Sequence, residues 1–227
     1  MLPRILIGTA EIPGGADNLR LLQRGAEFSI MLGSTELMNS RVSGSEKALA
    51  TLSCEKILPR SNPRMLIGGL GMGFTLRAAL ELLGADATVT VAELVPEVVA
   101  WARGPLAHIF GDSLTDPRVT VLVADVVHLI SEARSHYDAI LLDVDNGPDG
   151  LTCESNDQLY NLKGLRLAHA ALRPGGVLAV WSSAPDKVFT ERLRKAGFEV
   201  DEVVVRANEG RNGARHVIWF AVKPGLS

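Results

Sequence analysis

Cysteine is almost missing from this chain. The two that occur, Cys54 and Cys153, stand far apart and outside any CxxC pair. A disulfide framework or a zinc knot has nothing to be built from, and a reducing compartment is the expectation. Long apolar runs are missing too. No run of the length that crosses a bilayer occurs, and the apolar patch in MLPRILIGTAEIPGG is too short for a secretory leader. A cytoplasmic protein is expected. Basic charge is not in excess: 23 Lys and Arg stand against 26 Asp and Glu, a formal net charge of -3. Nucleic acids and anionic membranes call for a basic face, so neither is an expected partner. The 5 histidines, His108, His128, His136, His169 and His216, show no ligand spacing, and no metal is expected. Internal repeats and low-complexity tracts are also lacking.

What is present suits a globular fold. The 227 residues are 47% apolar and 22% charged, enough for one α/β domain with a small appendage. Residues 1–60 read as a small N-terminal subdomain. Two short runs, 19–24 and 27–32, are joined by Gly25-Ala26, and Gly33-Ser34 turns toward 36–38, as in a β-hairpin or small meander. Ser43 followed by Glu46 fits a capping box and opens an apolar-periodic run through Leu49, Leu52 and Ile57, so a helix is expected there.

Residues 61–227 alternate between strand and helix. Expected strands cover 64–67, 88–91, 119–123, 137–142 and 177–181. Expected helices cover 75–83, 96–103, 126–133, 157–172 and 186–196. Two final strands, near 199–206 and 216–222, read as an antiparallel pair. The pattern implies an α/β fold: a doubly wound, mostly parallel seven-stranded sheet. Ligands of such sheets bind beyond the carboxyl ends of the strands. That rule selects the glycine turn Gly68-Gly69-Leu70-Gly71-Met72-Gly73, then Glu93, Asp125 and Asp143-Val144-Asp145.

Each has a functional and a plain reading. Gly69, Gly71 and Gly73 allow a ligand close to the backbone at a helix N-terminus, or merely form a tight turn. Their spacing is not the dinucleotide fingerprint, because Phe74 stands where the third glycine would be. A nicotinamide dehydrogenase is accordingly disfavoured. Glu93 can accept hydrogen bonds from both ribose hydroxyls, or be a surface carboxylate. Asp125, between Ala124 and Val126, can border an adenine ring, cap the following helix, or do both. Asp145 and Asp149 can supply a negative field for a cationic acceptor, or simply hydrogen-bond the turn around Gly147 and Gly150. Tyr160 and Trp181 are candidates for an acceptor pocket, with core packing the alternative for Tyr160.

Together the glycine loop, the ribose carboxylate, the adenine-edge aspartate and the late Pro174-Gly175-Gly176 turn resemble the class I S-adenosylmethionine-dependent methyltransferase fold. More narrowly, the chain resembles the spermidine synthase (aminopropyltransferase) family over about residues 19–200. The residues that carry this are the small N-terminal β-unit, Asp116-Pro117-Arg118-Val119, the stretch Asp143-Val144-Asp145-Asn146-Gly147-Pro148, and Leu151 with Leu159-Tyr160. The resemblance implies that Asp143 faces the reacting centre and touches the donor, that Asp143 and Asp145 are catalytic, and that Asp145 helps hold the acceptor. It implies as donor S-adenosylmethionine or its decarboxylated form, a small amine as acceptor, and a homodimer.

The chain also departs from that family. Its Asp-Glu pair becomes Ser45-Glu46, which the capping box explains without a ligand. The following Tyr and Glu positions fall on Leu49 and Thr51. The diamine cradle is thus incomplete, and the expectation tips toward methyl transfer to a small cationic acceptor. Aminopropyl transfer to a diamine is the alternative, and a nucleotide-binding module without turnover the third reading.

Overall fold

In this computed structural model all residues are described except 1, 16, 59, 145–156, 209–212 and 226–227. The chain opens with β1 (Ile5–Glu11), β2 (Asn18–Arg24), β3 (Glu27–Leu32) and β4 (Thr35–Asn39), paired in that order as an antiparallel sheet. The turns after β2 and β3 pass through Gly25 and Gly33 at φ 62 and 54, a region that suits glycine. Leu19, Leu21, Phe28 and Ile30 alternate inward and are buried, as a half-buried sheet requires.

Helix α1 (Gly44–Ile57) follows. Its Ser43 is the N-cap residue but makes no side-chain cap bond, so the expected capping box does not form. Instead Glu46 accepts from the neighbouring Ser45 hydroxyl at 2.7 Å. The sequence grouped this helix with the N-terminal strands, yet it packs against elements of the main sheet.

The remaining elements are β5 (Arg64–Gly68), α2 (Phe74–Leu82), β6 (Thr88–Glu93), α3 (Pro96–Arg103), α4 (Ala107–Phe110), β7 (Val119–Val123), α5 (Val126–Glu132) and β8 (Tyr137–Leu142). Then come α6 (Asp157–Tyr160), α7 (Leu162–Ala171), β9 (Leu172–Ser182), α8 (Lys187–Lys195), β10 (Glu199–Arg206) and β11 (Arg215–Val222). The seven-stranded sheet has the order β10-β11-β9-β8-β5-β6-β7. β5 to β9 run parallel, and β11 pairs antiparallel with both β9 and β10.

Two expected elements differ in detail. The helix expected over 157–172 is two, because Asn161 stops α6 and caps α7 by accepting from the Gly164 amide. β9 starts at Leu172, so the Pro-Gly-Gly turn lies inside the strand, where its pairing with β8 shifts register.

β8 is buried along its whole length, including Asp138. That carboxylate is only 1% exposed. It is compensated by Arg60 at 2.6 Å, by Arg173 at 2.9 Å and by the Arg64 amide at 2.8 Å, as a buried charge must be. The two faces of the sheet carry separate cores. Met65, Ile67, Leu141, Ile218 and Phe220 join α1, α2, α3 and the N-terminal sheet in one. Leu66, Ile140, Leu142, Val217 and Trp219 join α5, α7 and α8 in the other.

The strand order fixes where a ligand can sit. From β5 the chain moves outward through β6 and β7, then crosses back to β8 on the other side. The crevice lies where that order reverses, between the loops that leave β5 and β8.

Candidate active site

The loop leaving β5 is the glycine turn. Gly69, Gly71 and Gly73 all have positive φ, of 90, 50 and 75. A methyl at Gly69 would lie 2.5 Å from the Asp143 carbonyl oxygen, and one at Gly73 would lie 2.3 Å from the Phe110 ring. The turn is therefore pressed against β8 on one side and α4 on the other. Any larger residue would push it away from the crevice. At Gly71 the nearest neighbour is the Met38 sulfur, so the tip of β4 reaches across from the N-terminal sheet.

A cavity of about 390 Å³ opens at this edge, a size that suits a nucleoside-sized ligand. Gly69, Gly71, Gly73, Glu93, Ala124, Asp125, Val126, Asp143 and Trp181 all line it, so one space gathers candidates from five strand ends. Asp145 and Asp149 lie outside the described residues. Tyr160 does not line the cavity. It is 2% exposed, stacks edge-on with Phe189 and donates to the Val144 carbonyl at 3.4 Å. Its place is in the second core, behind the end of β8.

Glu93 ends β6 and is 8% exposed. The Leu70 amide donates to its Oε2 and the Val95 amide to its Oε1, each at 2.9 Å. Burial pushes its pKa up, and the backbone donors pull against that. Each oxygen keeps further lone-pair capacity. A carboxylate held so rigidly can accept two ribose hydroxyls. Asp125 stands just past the end of β7. It lines the cavity, and its Oδ1 accepts from the Val127 amide at 2.8 Å to cap α5.

Asp143 follows β8, half-buried, with its amide bonded to the Gly68 carbonyl at 3.0 Å. Thr75, on the first turn of α2, donates to its Oδ2 at 2.5 Å. Burial first, and then the charge of Glu46, raise its pKa to about 7. Glu46 is itself pushed up by burial.

Glu46 is the residue that sequence reasoning missed. The Ser-x-x-Glu pattern hid it, although the resemblance had aligned Ser45-Glu46 with a functional pair. Ser45 and His216 also line the cavity, and His216 Nδ1 lies 3.0 Å from the Ser45 hydroxyl. Asn39, at the end of β4, also reaches the lining. Its side-chain Oδ1 already accepts from the Arg41 and Val42 amides. Leu49, at the family's tyrosine position, is fully buried in the core.

The charge at the cavity is one-sided. Glu36, Glu46, Glu93, Asp125 and Asp143 line it, and among the described lining residues no Lys or Arg does. His216 is pushed toward neutrality by burial. The glycine cradle, the rigid Glu93 and the cavity volume fit an adenosyl donor. The acidic end fits a sulfonium and an amine.

Comparison with known proteins agrees. A model of an S-adenosyl-L-methionine-dependent methyltransferase family matches residues 105–212. Polyamine aminopropyltransferase 1 of Streptomyces coelicolor is 36% identical over 129 residues, covering 56% of this chain and 23% of that protein. Polyamine aminopropyltransferase 2 of Pseudomonas aeruginosa is 35% identical over 130 residues, covering 55% of this chain and 35% of its own length. The chain thus spans about a quarter to a third of these curated relatives. Among solved structures, a spermidine synthase from Thermotoga maritima superposes with a TM-score of 0.76 at 17% identity, over 96% of this chain and 72% of that one. A spermidine synthase in complex with the transition state analogue AdoDATO superposes with a TM-score of 0.79 at 18% identity, over 96% and 73%. At those identities the superpositions show the fold. The sequence matches, each over about half of this chain, make it similar to polyamine aminopropyltransferases and to that methyltransferase family.

Proposed function

We propose that this spermidine synthase-like chain transfers an aminopropyl group from decarboxylated S-adenosylmethionine to a small amine. The observation that carries the reading is the row of carboxylates lining a cavity that no described Lys or Arg lines. S-adenosylmethionine carries a carboxylate on the arm that must lie near Asp143 and Glu46. Removing it leaves an ammonium, which those groups attract. The sequence tipped toward methyl transfer. The acidic cavity and the names of the relatives support the aminopropyl alternative better.

The steps follow from placement. Glu93 holds the ribose and the glycine turn admits the nucleoside. The acceptor arrives as an ammonium between Asp143 and Glu46, against the Trp181 and His216 side of the cavity. A carboxylate with a pKa near 7 takes one proton from it. The freed nitrogen lone pair attacks the carbon next to the sulfonium. The N–C bond forms, the C–S bond breaks, and its electron pair neutralises the sulfur. Positioning and charge do most of the work. With Leu49 and Thr51 at the family's diamine-contact positions, the acceptor is held by the carboxylate pair rather than by a tyrosine.

Calorimetric titration with each donor tests this. Decarboxylated S-adenosylmethionine is expected to bind at least about tenfold more tightly than S-adenosylmethionine, a difference of about 1.4 kcal/mol. A preference for the carboxylated donor would restore methyl transfer.

A further inference from the structure

Two side chains at the acceptor end of the cavity take no part in the proton transfer or displacement of that account. Ser45 is 1% exposed and His216 is half-buried. They come from α1 and β11, near opposite ends of the chain, and the structure takes care to join them. The Gly44 amide donates to the Ala207 carbonyl at 2.8 Å, which ties the start of α1 to the end of β10. His216 stands opposite Val205 and shares the β11 face of Ile218 and Phe220, which points toward α1. Its ring meets Trp181 edge-on, with centroids 4.7 Å apart.

The hydrogen bonds form a continuous line. Glu46 Oε2 lies 2.7 Å from Ser45 Oγ, and Ser45 Oγ lies 3.0 Å from His216 Nδ1. A hydroxyl has one proton to give. When Glu46 is ionised, Ser45 donates to it and must accept from His216, so the proton on the ring sits at Nδ1. When Glu46 is protonated, the line can run the other way, from Glu46 to Ser45 to Nδ1. We propose that Glu46, Ser45 and His216 form a proton wire that drains the acceptor's proton from the carboxylate pair to the outer face of His216. In one passage the Glu46 O–H bond breaks and Ser45 Oγ takes that proton. The Ser45 hydroxyl proton moves to Nδ1, and the imidazolium then releases its Nε2 proton to water. No other reactant is needed. The purpose of the wire rests on the transfer reading above, while its geometry does not.

The surroundings suit the task. Burial alone shifts the His216 pKa, and it does so downward, which favours release of the proton. The charged groups around it are Glu46 and Asp143 across the cavity, Arg215 beside it on β11, and Arg206 opposite Arg215 on β10. His216 and Ser45 are positioning residues here, acting through Glu46.

The wire is tested first without turnover. Nuclear magnetic resonance of the histidine ring nitrogens should show His216 as the Nδ1–H tautomer above its pKa. S45A and E46Q should each change the tautomer balance or move the titration midpoint by about half a unit or more. An Nε2–H ring that titrates identically in the wild type and both variants would overturn the wire. Kinetics supply the second arm. H216Q should bind decarboxylated S-adenosylmethionine as the wild type does, lose kcat by about tenfold or more, and regain rate as imidazole is added. An unchanged pH profile of kcat in H216Q would also overturn the proposal. If the wild type binds no decarboxylated donor, the transfer reading falls, and the ring titrations still decide the wire.

Discussion

Asp143 is costly to keep as it is. The usual aspartate value is 3.8, and here the group is raised to about 7, first by burial and then by Glu46. Between those two values the unfolded chain has already released the proton that the folded chain still holds. The contribution to stability is therefore full below 3.8 and is lost as pH rises through about 7. D143N removes the charge while keeping an oxygen for the Thr75 hydroxyl. It should melt several degrees above the wild type at pH 8 and close to it at pH 4, by calorimetry. The same change should lower kcat by about 10²- to 10⁴-fold. In the wild type, kcat/KM should rise with pH through about 7, as the pair gains its base form. Asp143 and Glu93 were legible in the sequence because an apolar strand that stops at a carboxylate marks the ligand edge. Glu46 was not, since a helix N-terminus explains a Ser and a Glu equally well without a ligand. The structure leaves the Ser43 hydroxyl out of the cap and places Glu46 on the cavity lining.

At the scale of elements, the glycine turn is a wedge between β8 and α4. Gly69→Ala places a methyl 2.5 Å from the Asp143 carbonyl oxygen, and that oxygen belongs to the strand end that presents the carboxylate. The turn and Asp143 must part. The loss should reach about 3 kcal/mol of stability, together with at least about tenfold in donor affinity. Gly33→Ala is the control. Its φ is 54, but its nearest neighbour, an Asp17 oxygen, is 4.0 Å away. It should lose only the left-handed backbone cost of about 1–2 kcal/mol and keep donor affinity. Chemical denaturation and donor titration read both. Most elements were legible, because most strands of the main sheet are short apolar runs bounded by turn residues. β1 was not read as a strand. Its consecutive Ile5 and Leu6 are both more than half exposed, so its first residues do not alternate between core and solvent. α4 is a 4-residue helix, too short for a period to show.

For the whole molecule, a net charge of -3 says little, and the distribution says more. Glu36 is exposed and Asp125 half-buried at the same cavity that holds Asp143 and Glu46. On the proposed reading, a cationic acceptor approaching this edge meets carboxylates from β4, α1, β7 and β8 before it reaches the donor. Exposed charges are screened beyond about 30 Å at 0.01 M salt and beyond about 8 Å at 0.15 M, whereas the buried pair is screened far less. Salt should therefore act on the approach and spare the chemistry. Raising sodium chloride across that range should increase KM for the amine several-fold and leave kcat within about twofold. E36Q should blunt the rise in KM, because it removes the most exposed of these charges. If kcat instead fell with salt while KM held, the field would act on the bound state, and the acidic edge would not steer the substrate. The composition alone could not show this division. It depends on carboxylates from separate elements meeting at one edge of the sheet, and strand order, not charge count, brings them there.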